Sequence, residues 1–66
     1  MNLMEKVMNL NESNLQRVYQ IAKSKDVYND FLMDTFESDG SFTNSQLEEI
    51  TKVCKEVAEI KQVSLI

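Results

Sequence analysis

The sequence predicts an all-α fold, a small bundle of three or four helices, and two observations support it. Apolar residues recur at the spacing of a helix face along most of the chain, and no segment alternates apolar and polar residues as a half-buried strand does. At 66 residues the chain is expected to form one helical domain over 1–66. Because so short a chain buries little core, we also expect a homodimer, formed through the last helix or through Met1, Met4 and Met8.

The first 25 residues allow two interpretations. Their apolar residues all fit on one face of a single continuous helix. The run Asn9–Asn14 is poor in helix formers, however, and Asn11 is a good N-cap. We favour a break, with one helix over 3–9 and a second over 12–24.

A third helix is predicted over 27–38, with Asp26 as its N-cap. On a helical wheel one half is apolar and carries Val27, Tyr28, Phe31, Leu32 and Phe36. The opposite half is polar and carries Asp26, Asn29, Asp30, Asp34 and Glu37. Met33 falls among these polar residues, and an adaptable apolar side chain ringed by charge is typical of an interface anchor.

The fourth helix is the best defined and is predicted over 44–62. Thr43 and Gln46 have the spacing of a capping box at its start, and Gly40 is expected to take the positive φ that ends the preceding helix. The helix carries one apolar stripe, formed by Leu47, Ile50, Val53, Cys54, Val57, Ala58 and Ile60.

Three further features of the C-terminal part have structural interpretations. Cys54 lies within the apolar stripe and is expected to be a buried thiol rather than a nucleophile. Lys61 is expected to cover apolar surface with its stem near the helix end. The tail Val63–Ile66 is apolar, so it either folds back on the core or forms an intersubunit contact.

The composition disfavours most classes of function. The chain has no histidine, which removes the usual general base, so we predict no enzyme, no catalytic residues and no cofactor. A net charge of −4 disfavours binding to nucleic acid and to anionic membranes. The single cysteine is compatible with a reducing compartment, so a cytoplasmic protein is expected, and the low-proline composition is compatible with an AT-rich bacterial or phage genome.

The segment between the last two helices resembles a calcium-binding EF-hand loop. With Gly40 at the sixth position the loop runs from Thr35 to Gln46, and further ligand positions match Glu37, Asp39 and Thr43. The first and last ligand positions depart from the family, because they hold Thr35 and Gln46 in place of carboxylates. A neutral amide cannot supply the bidentate charge of the last position, so we predict no metal site and interpret the segment as a helix-to-helix turn.

Charge is segregated along the chain. Residues 14–25 carry +3 and no acid, whereas residues 26–39 carry −5 and no base. One interpretation is a solvated face that Lys23 and Lys25 partly neutralise. The other is a surface that docks on a basic surface of a protein partner, through Asp26, Asn29, Asp30, Met33, Asp34 and Glu37.

We therefore predict a small acidic protein-interaction module that regulates its partner, as an inhibitor, antirepressor or adaptor. One alternative is a degenerate helix-loop-helix of EF-hand shape. Another is a small DNA-binding regulator, in which the helix over 27–38 would enter the groove. That helix carries acids and no base, so phosphate would repel it.

Overall fold

The computed structural model describes residues 2–66, which form four α-helices and no strand. The helices are α1 (Leu3–Met8), α2 (Glu12–Lys23), α3 (Asp30–Thr35) and α4 (Asn44–Lys61). The all-α fold class is confirmed. Within residues 2–66 no helix has both the length and the apolar composition that crossing a bilayer requires. Met1, which the predicted dimer contact included, lies outside the described residues.

The predicted break between the first two helices is confirmed. Asn11 has an extended backbone, with φ −72° and ψ 169°, and its side chain accepts a hydrogen bond from the Asn14 amide at 2.8 Å. Asn2 caps α1 in the same way, through the Glu5 amide at 2.8 Å. The local cap formed by the Asn11 side chain thus separates α1 from α2, although the apolar face alone would have permitted one continuous helix.

The core forms along one side of α4. Helices α1 and α2 both pack against α4, and Leu32 of α3 and its C-cap Phe36 join the same cluster. Ile60 is the exception within the predicted apolar stripe, because it is 63% exposed. The buried cluster comprises Val7, Leu15, Val18, Tyr19, Ala22, Leu32, Phe36, Leu47, Ile50, Cys54, Val57 and Ala58.

Lys61 joins the end of α4 to the end of α1. Its ammonium donates hydrogen bonds to the carbonyl oxygens of Met8 at 3.0 Å and Leu10 at 2.7 Å. Carbonyls at a helix C-terminus lack intrahelical partners, and a positive charge there also suits the helix dipole. Lys61 therefore does more than cover apolar surface, because it satisfies backbone groups about fifty residues away in sequence.

The C-terminal tail folds back onto α2, one of the two outcomes that its apolar sequence allowed. The side-chain amides of Gln16 and Gln20 donate to the carbonyls of Ser64 at 2.7 Å and Leu65 at 2.8 Å. Leu65 also packs against the buried cluster, as does Val63. The tail thus covers part of the core within a single chain.

The helix over 27–38 is shorter than predicted. It begins after Asn29, whose side-chain oxygen accepts from the amides of Phe31 at 3.0 Å and Leu32 at 3.4 Å, and it ends at Thr35. Asp26 is therefore not its N-cap. The better capping residue lies three positions later, because Asn29 reaches two free amides at once.

This shift in the start of α3 changes which side chains are buried. Val27 and Tyr28, predicted on the buried side, precede the helix and are 41% and 63% exposed. Met33, predicted as an exposed anchor, is only 6% exposed. When Val27 and Tyr28 are left out of the helix, the centre of its apolar face shifts toward Met33. This shift accounts for the exposure of Val27 and Tyr28 and for the burial of Met33.

Gly40 does not end the third helix, so that prediction is wrong. The positive φ lies at Glu37, at 51°, and the next amide, of Ser38, bonds back to the Met33 carbonyl at 3.0 Å. Lys25 and Gln62 end α2 and α4 with the same left-handed geometry, at φ 60° and 56°. All three are Schellman turns without glycine.

Replacing Lys61 by methionine tests the link between α4 and α1. We expect K61M to lower the free energy of unfolding by about 1–3 kcal/mol in urea denaturation, because two half-buried carbonyls lose a charged donor. Lys52 is exposed on the same helix, so K52M serves as the control and should change stability by less than about 0.5 kcal/mol. Equal unfolding midpoints for the two variants would contradict the stabilising role of Lys61.

Replacing Gly40 by alanine tests the assignment of the helix end. Gly40 has no positive φ, and no atom lies within 4 Å of the Cβ that alanine would add. Thermal unfolding should therefore show G40A more stable by about 0.4–1 kcal/mol, because alanine restricts the unfolded chain. A loss of stability would mean that Gly40 takes a positive φ, because alanine is strained in that conformation.

Candidate protein-interaction surface

The acidic segment, residues 26–39, includes α3 and the turns on either side of it. Its five carboxylates are all exposed, and they belong to Asp26, Asp30, Asp34, Glu37 and Asp39. Since the whole chain carries −4 and this segment carries −5, the remaining residues together carry +1. The negative charge of the protein is therefore concentrated here.

The carboxylates do not form the single helical row that the wheel predicted. Only Asp30 and Asp34 lie on α3, one turn apart, whereas Asp26 precedes the helix and Glu37 follows it. Asp26 accepts a hydrogen bond from the Asn29 side-chain amide at 3.3 Å. The acidic segment thus presents a bent surface rather than a straight ridge.

Neither of the two neighbouring lysines forms an ion pair with a carboxylate of the acidic segment. The Lys23 ammonium lies 5.7 Å from the centre of the Tyr19 ring, and the Lys25 ammonium lies 3.8 Å from a Glu48 carboxylate oxygen. Within residues 2–66 the Lys25–Glu48 contact is the only ion pair. The five carboxylates of the acidic segment therefore have no ion-pair partner in the described part of the chain.

Two contacts hold the acidic segment against the rest of the protein. The Arg17 guanidinium of α2 stacks 4.0 Å above the centre of the Phe31 ring in the first turn of α3. The Phe42 amide donates to the Val27 carbonyl at 2.9 Å and so ties the turns before and after α3 together. Arg17, a cation close to the segment in sequence, thus positions α3 by stacking on an aromatic ring.

The predicted partner-binding residues divide into two groups. Four are exposed and available to a partner: Asp26, Asp30, Asp34 and Glu37. Met33 is buried, and Asn29 is half-buried with its oxygen occupied in capping α3. Sequence reasoning missed the exposure of Val27 and Tyr28, and the signal for it was the strong capping residue Asn29 directly after them.

An apolar pocket of about 220 Å³ adjoins the C-terminal part of the acidic segment. Four of its lining residues are apolar: Leu3, Phe36, Phe42 and Ile50. The others are Lys6, Gln46 and Glu49. The Phe36 and Phe42 rings meet edge to face, with their centres 6.0 Å apart and an interplanar angle of 79°. Sequence patterns could not show this pocket because α1, α4 and the loop between α3 and α4 each supply part of it.

The segment that resembles an EF-hand loop uses its polar groups to end and begin helices. The Thr35 hydroxyl donates to the Phe31 carbonyl at 2.7 Å. The Thr43 hydroxyl accepts from the Gln46 amide at 3.2 Å, while the Gln46 side-chain oxygen accepts from the Thr43 amide at 2.8 Å, which confirms the capping box. Among residues 2–66 no three Asp, Glu, His or Cys side chains are grouped to hold a metal ion. The hydrogen bonds favour the helix-to-helix turn.

Cys54 is fully buried in the core, as predicted. Burial disfavours the thiolate and raises the pKa of Cys54 from 9.0 to about 12. The thiol therefore stays protonated and enclosed at neutral pH, which is the state of a structural rather than a nucleophilic cysteine.

The acidic segment presents carboxylates and one tyrosine to solvent. Exposed carboxylates accept hydrogen bonds from Lys and Arg, and an exposed tyrosine adds apolar area together with a hydroxyl. Comparison of the chain with protein-family models, with curated proteins and with solved structures gives no match.

The buried thiol predicts a measurable dependence on pH. The pKa of Cys54 is higher in the folded state, so its contribution to stability is complete below pH 9.0 and is lost as the pH rises toward about 12. The free energy of unfolding of the native protein should fall relative to that of C54V by up to about 1.4 kcal/mol per pH unit in this range. Parallel curves for the two proteins would show that burial leaves this pKa unchanged.

Proposed function

We propose that this protein is a small non-enzymatic interaction module that docks on a basic surface of another protein through its acidic segment. Its role would be that of an inhibitor, antirepressor or adaptor. The observation that carries the proposal is the set of five exposed carboxylates without an ion-pair partner in residues 2–66, although three cations directly precede them in sequence.

Folding stability alone does not favour this arrangement of charge. Asp30 and Asp34 are like charges one helical turn apart, a spacing that weakens a helix by about 0.2–0.5 kcal/mol. Asp34 also lies in the last turn of α3, at the negative end of the helix dipole. A Lys or Arg from a partner would relieve both interactions, so these carboxylates contribute more to a complex than to the free chain.

Tyr28 and Val27 supply an apolar component beside the carboxylates. Both are exposed, and they precede α3 on the turn that the Phe42 amide holds. Tyrosine is enriched among residues that contribute most to protein interfaces, because it buries a large area with few rotatable bonds. We assign to Tyr28 the anchoring role that the helical wheel had given to Met33.

The partner that best fits this surface is a basic protein rather than a nucleic acid or an anionic membrane, since phosphate groups would be repelled by five carboxylates. A cytoplasmic location is part of the same proposal, as is a homodimer. The apolar stripe of α4 is covered by α1 and α2 within one chain, so a dimer would use other surface, such as the exposed Ile60. Light scattering would then give twice the 7.7 kDa mass of a single chain.

Removing the two charges of α3 tests the proposed docking surface. The charge of Asp30 suits the start of α3 and the charge of Asp34 opposes its end, so removing both changes stability little, and D30N/D34N should fold normally. Its affinity for the partner should fall about 5- to 30-fold. The measurement is affinity capture from the native host with quantitative mass spectrometry, followed by titration of the captured protein at low and high salt. Affinity should weaken as salt rises, because exposed charges are screened.

The matched control is E12Q/E56Q, which removes two exposed carboxylates from α2 and α4. Its net charge equals that of D30N/D34N, so it separates the effect of position from the effect of total charge. Equal recovery of the same partner by both double variants would refute docking through the acidic segment.

A further inference from the structure

Asp39 and Gly40 form the one aspartyl-glycyl pair of the chain, because Gly40 is its only glycine. Both residues are exposed, and they lie in the loop between the end of α3 and the start of α4. In residues 2–66 the Gly40 amide has no hydrogen-bond partner. Apart from the adjoining residues, no atom lies within 4 Å of the position that a Cβ on Gly40 would take. The Gly40 nitrogen is therefore accessible to the Asp39 carboxyl group.

We propose that Asp39 is a site of spontaneous isomerisation to isoaspartate. The Gly40 nitrogen attacks the γ-carbon of the protonated Asp39 carboxyl group, a C–N bond forms, and the carboxyl hydroxyl leaves with the amide proton as water. The product is a five-membered succinimide ring. Water from solvent then opens the ring by breaking the bond between the nitrogen and the α-carbonyl carbon. The backbone now continues through the γ-carbon, the α-carboxylate is free, and no atom has been gained or lost.

Two other aspartates of the chain are followed by amides that the fold already uses. Asp30 precedes Phe31, whose amide donates to the Asn29 side chain at 3.0 Å. Asp34 precedes Thr35, which is the last residue of α3, so its amide belongs to the helical hydrogen-bonding pattern. In both places ring closure would require α3 to open.

The remaining aspartate, Asp26, is followed by a bulky residue. The β-branched side chain of Val27 crowds the nitrogen that would have to attack. Gly40 has no side chain and allows the backbone the widest choice of conformations. Asp39 therefore alone combines exposure, a free neighbouring amide and a glycine.

The product keeps the charge of the acidic segment and changes its backbone. The rearranged chain is longer by a carbon atom between residues 39 and 40, and the carboxylate is attached directly to the α-carbon. This carbon is inserted between Phe36 and Phe42, whose rings meet edge to face with their centres 6.0 Å apart. The reaction is independent of the proposed function, because it needs no partner.

Incubation of the full chain at neutral pH and physiological temperature for several weeks tests the site. Trypsin cleaves after Lys25 and Lys52, so one peptide carries all four aspartates, and electron-transfer fragmentation locates isoaspartate within it. We expect position 39 to hold about tenfold more isoaspartate than the other three positions together. Isoaspartate spread evenly over the four positions, or absent from position 39, would overturn the proposal.

Two variants test the chemistry of ring closure. G40A adds a methyl group beside the attacking nitrogen, and D39E keeps the charge but would have to close a six-membered ring. Each should lower the isomerised product at position 39 about tenfold or more. Unchanged formation in both variants would refute attack by the Gly40 nitrogen.

The same full chain unfolded in urea gives the reference for the contribution of the fold. The native protein should isomerise at position 39 within about tenfold of the unfolded rate, because the Gly40 amide is free in both states. Stronger protection in the native protein would show that the fold holds the Asp39 carboxyl group away from the Gly40 nitrogen, and the proposal would be overturned.

Discussion

The buried stripe of α4 is the constraint on which the rest of the structure depends. Helices α1 and α3 have six residues each, too few to be stable in isolation. They persist because Val7 of α1, Leu32 of α3 and Phe36 at the end of α3 are removed from water in the same cluster. Lys61 then completes the arrangement, since its hydrogen bonds to the end of α1 are possible only when both helices are docked.

The fold gives several cations intramolecular partners other than the carboxylates of residues 26–39. Arg17 stacks on Phe31, Lys25 pairs with Glu48 and Lys61 binds backbone carbonyls, so much of the positive charge serves internal contacts. The carboxylates of the acidic segment have no ion-pair partner in residues 2–66. Phe36 belongs to this segment and also lines the apolar pocket, so exposed charge and apolar surface adjoin on one continuous piece of backbone.

The sequence by itself determined those features that depend on neighbours within about four residues. The N-cap at Asn11 and the capping box of Thr43 and Gln46 are local hydrogen bonds, and both were predictable. The periodic stripe of α4 likewise placed Cys54 in the core. The exposure of the carboxylates of the acidic segment followed from charge alone, because a carboxylate without a partner is too costly to bury.

Only the tertiary structure decided what depends on residues far apart in sequence. The burial of Met33 follows from how α3 packs once it starts after Asn29, and a wheel drawn from the wrong first residue could not show it. The contacts of Lys23 and Lys25 could not be predicted either, because the partners of a long side chain are residues that only folding brings close to it. The apolar pocket exists only after three elements meet. Local hydrogen bonds and helical periodicity depend on residues that are close in sequence, whereas contacts between different helices and loops depend on the geometry of the whole fold.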